Sequence, residues 1–246
     1  MAVLKALVLA AGEGTRLRPL TLDRPKPMLP IGGRPMLEHT LALLKQHGVR
    51  DVAINLHHKS EVITSYFSRF SDMNIVYSHE AEILGTAGAA KKLAHFLDST
   101  FFVIYGDVLT DLDLSALLAY HRAKDAAITI VLYEVEDPTR CGIVEVDRSG
   151  RVGSFVEKPS APKSNLANAG IYVVEPSVLS HIPGGFADFG FDVFPALIAA
   201  NAAFYAFPIH SDTYLLDIGS LERYAQACRD AEEGRICLLH LESPQD

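Results

Sequence analysis

Two glycines and a group of cationic side chains lie together near the start of the chain, in a segment that could bind phosphate. The segment reads LVLAAGEGTRLRPLTLDRPKPMLP over residues 7–30 and includes Gly12 and Gly14. Glycine leaves backbone N–H groups open to an anion, while arginine and lysine add donors that suit phosphate oxygens. The cationic residues of the loop are Arg16, Arg18, Arg24 and Lys26. A rigid surface loop with solvated side chains stays open as the alternative for Arg18 and Arg24.

The loop does not follow two common phosphate-binding motifs. A dinucleotide fingerprint would require glycine where Leu17 stands, and the Gly-Lys-Ser/Thr ending of a P-loop is absent. Proline fixes φ, which lowers the entropy cost of holding cations in place. The prolines of the loop are Pro19, Pro25, Pro27 and Pro30. We therefore expect a stiff cradle for a triphosphate.

The elements around this loop alternate between strands and helices. Residues 4–11 predict a buried strand, and residues 36–48 predict a helix that ends at Gly48. Further strands are expected at 51–56, 74–80 and 101–107, with helices at 60–70, where Ser60 could be the N-cap, and at 86–97. The short connections imply parallel strands joined by right-handed crossovers.

From about Ala126 the pattern becomes richer in strands. Strands are expected at 127–135, 142–147, 150–158, 169–176, 204–209 and 213–219, and helices at 191–201 and 221–234. The sequence thus predicts an α/β fold with a doubly wound, mostly parallel (mixed) Rossmann-like sheet and a β-rich portion in the same domain. The predicted single domain has a half at 1–125, a half at 126–220, and a C-terminal helix and tail at 221–246.

Composition narrows the classes of partner. The 246 residues carry a net charge of −8, which disfavours a nucleic-acid-binding surface. No apolar run approaches the roughly 18–20 residues of a membrane span. The three cysteines lack CxxC spacing, which favours free thiols in a reducing cytoplasm. Small anions are therefore the expected partners. Separately, the C-terminal segment ICLLHLESPQD could pack on the last helix or support a homo-oligomer.

The signature AAGEGTRLRPLT…RPKPMLPIGGRPMLEH resembles that of the sugar-1-phosphate nucleotidylyltransferases, or NDP-sugar pyrophosphorylases. The resemblance covers about residues 3–230, and later segments match in family order. These segments are LGTAGA (84–89), YGDVLTD (105–111), FVEKP (155–159), NAGIYV (168–173) and LLDIG (215–219). Three stretches, VEDPTRCGIVEVDRSGRVGSFVEKP, NAGIYVVEPSVL and DFGFDVFPALIA, look most like the mannose-1-phosphate guanylyltransferases. Cys141, Leu215 and the sequence DIGS depart from the family's usual tyrosine, aromatic residue and DIGTP.

The resemblance implies transfer of a nucleotide to a sugar 1-phosphate, releasing NDP-sugar and pyrophosphate, with Mg²⁺ as cofactor. GTP with mannose 1-phosphate is the leading pair. UTP or dTTP with glucose 1-phosphate, a heptose 1-phosphate guanylyl transfer and an N-acetylmuramate 1-phosphate uridylyl transfer stay open. So does a non-catalytic regulatory subunit that binds an NDP-sugar. Because no hexapeptide repeat is present, we expect no left-handed β-helix domain and no acetyltransferase activity.

The family motifs also imply which residues form the sites. The implied nucleotide-binding residues are Ala10, Ala11, Gly12, Gly14, Thr15, Arg16, Lys26, Gly85, Thr86, Gly88 and Asp107. The implied sugar-phosphate residues are Gly142, Glu157, Lys158, Asn168 and Asp217. The expected catalytic residues are Arg16, Lys26, Asp107 and Lys158.

Asp107 and Asp217 are the expected metal ligands, because each ends a predicted strand and strand ends converge in open parallel sheets. Structural roles stay open as alternatives. Asp107 could cap a turn, Glu157 could pair with a neighbouring cation, Asn168 could cap a turn, and Gly142 could form a strand bulge.

Overall fold

A computed structural model describes residues 3–241 of the chain, which fall into two compact units. The first unit takes the described residues up to Ile83, the stretch Ile104–Leu112 and the residues from Asp212 onward. The second takes Leu84–Val103 and Asp113–Ser211. Each unit is assembled from separate stretches of chain, unlike the contiguous halves 1–125 and 126–220 expected from the sequence. The assignment of a single domain stays a prediction.

The strands and helices are numbered along the chain. The strands are β1 (Lys5–Leu9), β2 (Pro30–Ile31), β3 (Arg34–Pro35), β4 (Asp51–Leu56), β5 (Asn74–His79), β6 (Phe101–Tyr105), β7 (Val108–Thr110), β8 (Ile128–Glu134), β9 (Gly142–Val146), β10 (Val152–Glu157), β11 (Leu166–Val174), β12 (Phe204–Pro208) and β13 (Leu215–Asp217). The α-helices are α1 (Met36–Gln46), α2 (Ser60–Phe67), α3 (Gly85–Lys92), α4 (Leu114–Ala123), α5 (Phe194–Ala199) and α6 (Leu221–Glu232). Short 3₁₀ turns occur at Thr15–Leu17, Lys26–Met28, Pro138–Arg140 and Pro176–His181, and a π-helical turn at Phe189–Val193.

The first unit is built on parallel strands. β4 pairs in parallel with β1 on one side and with β5 on the other. Ala6, Leu7 and Val8 of β1 are fully buried, which explains the continuous apolar run of this strand. Two antiparallel pairs, β2 with β3 and β7 with β13, also belong to this unit. The predicted parallel arrangement is confirmed here for β1, β4 and β5.

The second unit contains a mixed sheet. β8 pairs in parallel with β12 and antiparallel with β11, and β9 forms an antiparallel hairpin with β10. A turn at 148–150 closes this hairpin, with Gly150 at φ 84° and its N–H donating to the Asp147 carbonyl at 3.0 Å. The aromatic rings of Tyr172, Phe189 and Phe194 pack together in the core of the second unit. The predicted α/β class with a mixed sheet is confirmed.

Several local predictions were wrong. Ser60 is the first residue of α2, not its N-cap; Lys59 holds that position, and no side chain caps the helix. The helix expected at 86–97 ends at Lys92, because the chain tightens into turns with the Phe96 N–H donating to the Leu93 carbonyl. Helix α4 was not predicted, although Asp113 caps it by accepting from the N–H groups of Ser115 and Ala116.

The segment after α6 packs within the first unit. Ile236 belongs to a buried cluster with Ala227 of α6 and Ile218, and Leu238 packs against that cluster. This contact corresponds to the predicted packing on the last helix, while residues 242–246 of the predicted tail lie outside the described part of the chain. Within residues 3–241, no helix is both long and apolar enough to cross a membrane.

Candidate active site

The cationic loop of the first unit turns sharply at Gly14. This residue has φ 64°, and its carbonyl accepts from the Thr21 hydroxyl at 2.9 Å. A Cβ at Gly14 would lie 3.1 Å from Cβ of Lys26 and 3.1 Å from Cγ2 of Thr21, so the turn needs glycine for both conformation and space. Thr15 and Arg16 follow in a 3₁₀ turn and are exposed. The loop therefore has a fixed backbone and presents Arg16 to solvent.

Lys26 is the buried cation of this loop. Only 11% of its side chain is exposed, and its ammonium group donates to the Asp107 carboxylate. A buried charge needs such a partner, since desolvation without compensation is costly. The turn Lys26–Met28 has proline at its second position, which fixes the backbone beside the lysine. The structure thus brings together Lys26 and Asp107, two of the four predicted catalytic residues.

Asp107 and Asp217 lie beside each other through the β7–β13 pair. Asp217 is opposite Val108 in the antiparallel register, and the Ile218 N–H donates to the Asp107 carbonyl at 2.8 Å. Burial, and next the Asp107 carboxylate, raise the pKa of Asp217, while the charges of Lys26, Arg223 and Arg16 oppose this shift. The expected meeting of the two aspartates is therefore found. The expected cause was wrong, because they meet through a separate antiparallel ladder and not at the ends of parallel strands.

The chemistry of this pair fits a divalent cation. Two carboxylates side by side repel each other, which adds to the effect of burial in raising the pKa of Asp217, and hard oxygen donors are what Mg²⁺ prefers. Within residues 3–241, no group of three or more His, Cys, Asp or Glu side chains could hold a metal ion. Phosphate oxygens and waters would therefore have to complete the coordination of Mg²⁺ at Asp107 and Asp217.

In the second unit, the glycines of the LGTAG loop are explained by close backbone packing. A Cβ at Gly85, which has φ 75°, would lie 2.4 Å from the Ala187 carbonyl oxygen, and one at Gly88 would lie 2.6 Å from that of Gly185. The N–H groups of Ala87 and Gly88 both donate to the Ala187 carbonyl. The Thr86 hydroxyl donates to Asp188 at 2.7 Å. Contact of this loop with a nucleotide stays a prediction.

Gly142 and Glu157 are paired across the β9–β10 hairpin of the same unit. A Cβ at Gly142 would lie 2.6 Å from Cζ of Phe155 and 2.8 Å from Oε2 of Glu157, so the glycine leaves the carboxylate its room. Lys158 is exposed, adopts φ 46°, and places Nζ 3.6 Å from Oε1 of Glu157. The ion pair considered as an alternative role for Glu157 is thus present, with Lys158 itself as the partner.

Asn168 lies on β11, where the register with β8 shifts between Asn168 and Tyr172. Its Oδ1 accepts from the Gly170 N–H at 2.9 Å, and its Nδ2 donates to the Tyr172 hydroxyl at 2.9 Å. The turn-capping alternative is therefore observed. A role in holding a sugar hydroxyl stays a prediction.

The chain matches the family described as nucleotidyl transferase over residues 5–234, almost its whole length. It belongs to this family.

The names of similar curated proteins indicate different substrates. The chain is 42% identical over 246 residues to the UTP–glucose-1-phosphate uridylyltransferase of Synechocystis sp., covering 92% of the chain and 63% of that protein. It is 38% identical over 234 residues to the mannose-1-phosphate guanylyltransferase of Mycobacterium tuberculosis, covering 93% and 65%. The chain therefore spans less than two thirds of the length of these relatives.

Solved structures support the fold. A crystal structure of a glucose-1-phosphate thymidylyltransferase from Bacillus anthracis has a TM-score of 0.85 at 24% identity, covering 94% of this chain and 96% of that one. HddC from Yersinia pseudotuberculosis has a TM-score of 0.79 at 30% identity, covering 92% and 98%. The Rossmann-like mixed sheet expected from the sequence is thus a fold that these solved structures share.

The first unit also contains a buried series of polar groups that the sequence analysis missed. The Ala10 N–H donates to Oδ1 of Asn55 at 2.7 Å, and Nδ2 of Asn55 donates to Oε1 of Glu80 at 2.9 Å. Asn55 is 3% exposed and Glu80 is 5% exposed. The signal was an asparagine inside the apolar strand DVAINL. Because Ala10 directly follows β1 at the start of the glycine-containing loop, Asn55, itself bonded to Glu80, holds that part of the backbone in place.

Proposed function

We propose that the protein is a sugar-1-phosphate nucleotidylyltransferase that makes NDP-sugar and pyrophosphate from an NTP and a sugar 1-phosphate. The observation that carries this proposal is the cluster of Lys26, Asp107 and Asp217 in the first unit. A buried lysine beside two adjacent carboxylates suits a reaction between polyanions, in which charge must be neutralised at fixed positions.

The reaction needs no general base from the protein. A phosphate oxygen of the sugar 1-phosphate attacks the α-phosphorus of the NTP, a new P–O bond forms, and the bond to the leaving pyrophosphate breaks. The second pKa of a phosphate monoester is about 6, so the nucleophile is mostly a dianion at neutral pH. Catalysis then rests on positioning and on stabilisation of the charge that moves onto pyrophosphate.

Each predicted catalytic residue and metal ligand has a defined role in this proposal. Arg16, exposed at the fixed turn, binds the triphosphate and stabilises the leaving pyrophosphate. Lys26 donates to phosphate oxygens near the α position. Lys158, exposed at the end of β10, binds the phosphate of the incoming sugar. Asp107 and Asp217 hold Mg²⁺, which when bound neutralises phosphate charge as a Lewis acid.

GTP with mannose 1-phosphate is the substrate pair that we propose. Several similar curated proteins are named mannose-1-phosphate guanylyltransferases, and one structure of HddC is described as complexed with GMP-PN. The 42% identical uridylyltransferase favours UTP with glucose 1-phosphate as a second candidate. Other nucleotide and sugar phosphate pairs, and a binding-only subunit, are the remaining alternatives.

Pyrophosphate release, measured with Mg²⁺ over a grid of five NTPs and several sugar 1-phosphates, tests both levels of the proposal. We expect strong preference for GTP with mannose 1-phosphate. Activity with another pair would keep the reaction and reject the substrate. Absence of activity across the grid, with NDP-sugar still binding, would favour a regulatory subunit.

A further inference from the structure

A buried carboxylate in α6 collects side-chain hydrogen bonds within the first unit. Asp230 is 5% exposed, and its Oδ2 accepts from the Tyr214 hydroxyl at 2.9 Å. Its Oδ1 accepts from Nε2 of Gln226 at 2.6 Å and from Nη1 of Arg235 at 2.9 Å. A buried carboxylate requires such partners, and a buried carboxylate with three donors is a rigid anchor.

Tyr214 connects this anchor to the end of β7. Its backbone carbonyl accepts from the Thr110 hydroxyl at 2.7 Å, and its N–H donates to Oδ1 of Asp111 at 2.8 Å. The Asp111 N–H donates to the Tyr214 carbonyl at 3.3 Å. Tyr214 is therefore held by its hydroxyl to α6 and by both backbone groups to the residues that end and follow β7.

The strand that follows Tyr214 carries Asp217. In the β13–β7 ladder, Leu215 lies opposite Thr110 and Asp217 lies opposite Val108. Both strands have only three residues, so the ladder has few hydrogen bonds of its own. A shift of one residue in such a ladder would turn the Asp217 side chain to the other face. The register must therefore be fixed from outside the ladder.

We propose that Tyr214 and Asp230 are positioning residues that fix the β13–β7 register and so keep Asp217 beside Asp107. This inference rests on the proposed function, in which Asp107 and Asp217 must lie together to bind Mg²⁺. Tyr214 and Asp230 would keep these two carboxylates in place. Neither residue touches substrate in this account.

The variant Tyr214→Phe removes only the hydroxyl that donates to Asp230. Tyr224→Phe is a matched control, because its hydroxyl donates to the Pro30 carbonyl at 2.7 Å and its ring packs on the same buried cluster as Tyr214. Thr110→Val is a second test variant, since it removes another hydrogen bond to Tyr214. All three proteins are compared with the wild type for secondary structure and melting temperature before the tests.

Backbone hydrogen exchange of residues 215–218 reads the register without substrate or metal. We expect exchange of these amides to increase about 10-fold or more in Tyr214→Phe and Thr110→Val but to stay unchanged in Tyr224→Phe. The Mg²⁺ concentration for half-maximal activity should rise about 10-fold in the same two variants, with kcat recovered at high Mg²⁺.

Unchanged exchange in both test variants would overturn the proposal, as would faster exchange with an unaltered Mg²⁺ requirement. Equal effects in Tyr224→Phe would also overturn it, because they would indicate general loss of stability. A wild-type protein without activity on any substrate pair would count against the proposed function, while the exchange measurement would still decide whether Tyr214 holds the ladder.

Discussion

Lys26 and Asp107, which are 81 positions apart in the chain, form an ion pair in which the lysine ammonium donates to Oδ2 of the aspartate. Both residues have a second task in the proposed reaction, where Lys26 binds phosphate and Asp107 binds Mg²⁺. Pairing keeps the largely buried lysine neutralised before substrates arrive. When the substrate and Mg²⁺ bind, Lys26 would pair with a phosphate group and Asp107 with Mg²⁺. Each of the two side chains would then again face a group of opposite charge.

The first prediction concerns Asp107. Asp107→Asn should keep the fold but lower its melting temperature, because buried Lys26 loses its ion-pair partner. Turnover should fall by about 100-fold or more, because a neutral amide cannot offset the charge of Mg²⁺ in the same way. Steady-state pyrophosphate release with the preferred substrates measures the effect, and the melting temperature checks the fold. Asp212→Asn, an exposed position in the same unit, is the control and should behave as the wild type. Wild-type rates in Asp107→Asn would remove Asp107 from the metal site.

The second prediction is a pH dependence of stability set by Asp217. Burial and the Asp107 carboxylate raise the pKa of Asp217 above its ordinary value of 3.8. The folded protein therefore binds this proton more tightly than the unfolded chain, and ionisation of Asp217 lowers stability as pH rises from 3.8 through the raised pKa. Asp217→Asn should thus be more stable than the wild type at neutral pH without metal.

The difference in stability between Asp217→Asn and the wild type should shrink as the pH falls and vanish below about 3.8, where both side chains are neutral. Denaturant unfolding at a series of pH values measures this difference in the free energy of unfolding. The other titrating groups are present in both proteins, so the comparison isolates Asp217. Adding Mg²⁺ should stabilise the wild type and leave the variant unchanged. A difference independent of pH would contradict the stated cause.

The third prediction separates the two substrates. Lys158→Ala should raise the KM for the sugar 1-phosphate on the order of 10- to 100-fold, because a charge-assisted contact to phosphate is lost. NTP binding, measured by calorimetry, should be unaffected. Lys163→Ala removes an exposed lysine of the same unit and serves as the control. Equal weakening of the binding of both substrates would count against the role of Lys158.

Much of the fold could be predicted because the strands have strong local patterns. The mostly apolar segment at 51–56, interrupted by Asn55, coincides with β4, which is buried over nearly its whole length. Helix α4 also had a signal, since Asp113 precedes Leu114, Leu117 and Leu118 at helical spacing. The strand β13 lies within the strand expected at 213–219, whereas β7 was not predicted, because three residues show no useful periodicity.

For the site, residue types were predictable and the contacts were not. The pairing of Asp107 with Asp217 depends on a ladder between segments more than 100 positions apart, as the hydrogen bond between Thr110 and Tyr214 shows. The need for glycine at Gly85 arises from the Ala187 carbonyl, an equally distant neighbour. A sequence indicates that such glycines matter without indicating which atoms require them.

The last prediction tests whether the space at Gly142 serves the sugar. In Gly142→Ala the new methyl group would press on the Phe155 ring and on the Glu157 carboxylate, at 2.6 and 2.8 Å in the present geometry. Either side chain must then move, and because Glu157 precedes Lys158, we expect kcat/KM for the sugar 1-phosphate to fall about 10-fold or more. Gly153→Ala on β10 is a matched control, since its Cβ would meet only the Glu145 carbonyl oxygen at 3.9 Å. Equal losses in the two variants would show that the hairpin needs both glycines for folding. A loss confined to Gly142→Ala, with an unchanged KM for the NTP, would support a sugar-phosphate site beside Glu157.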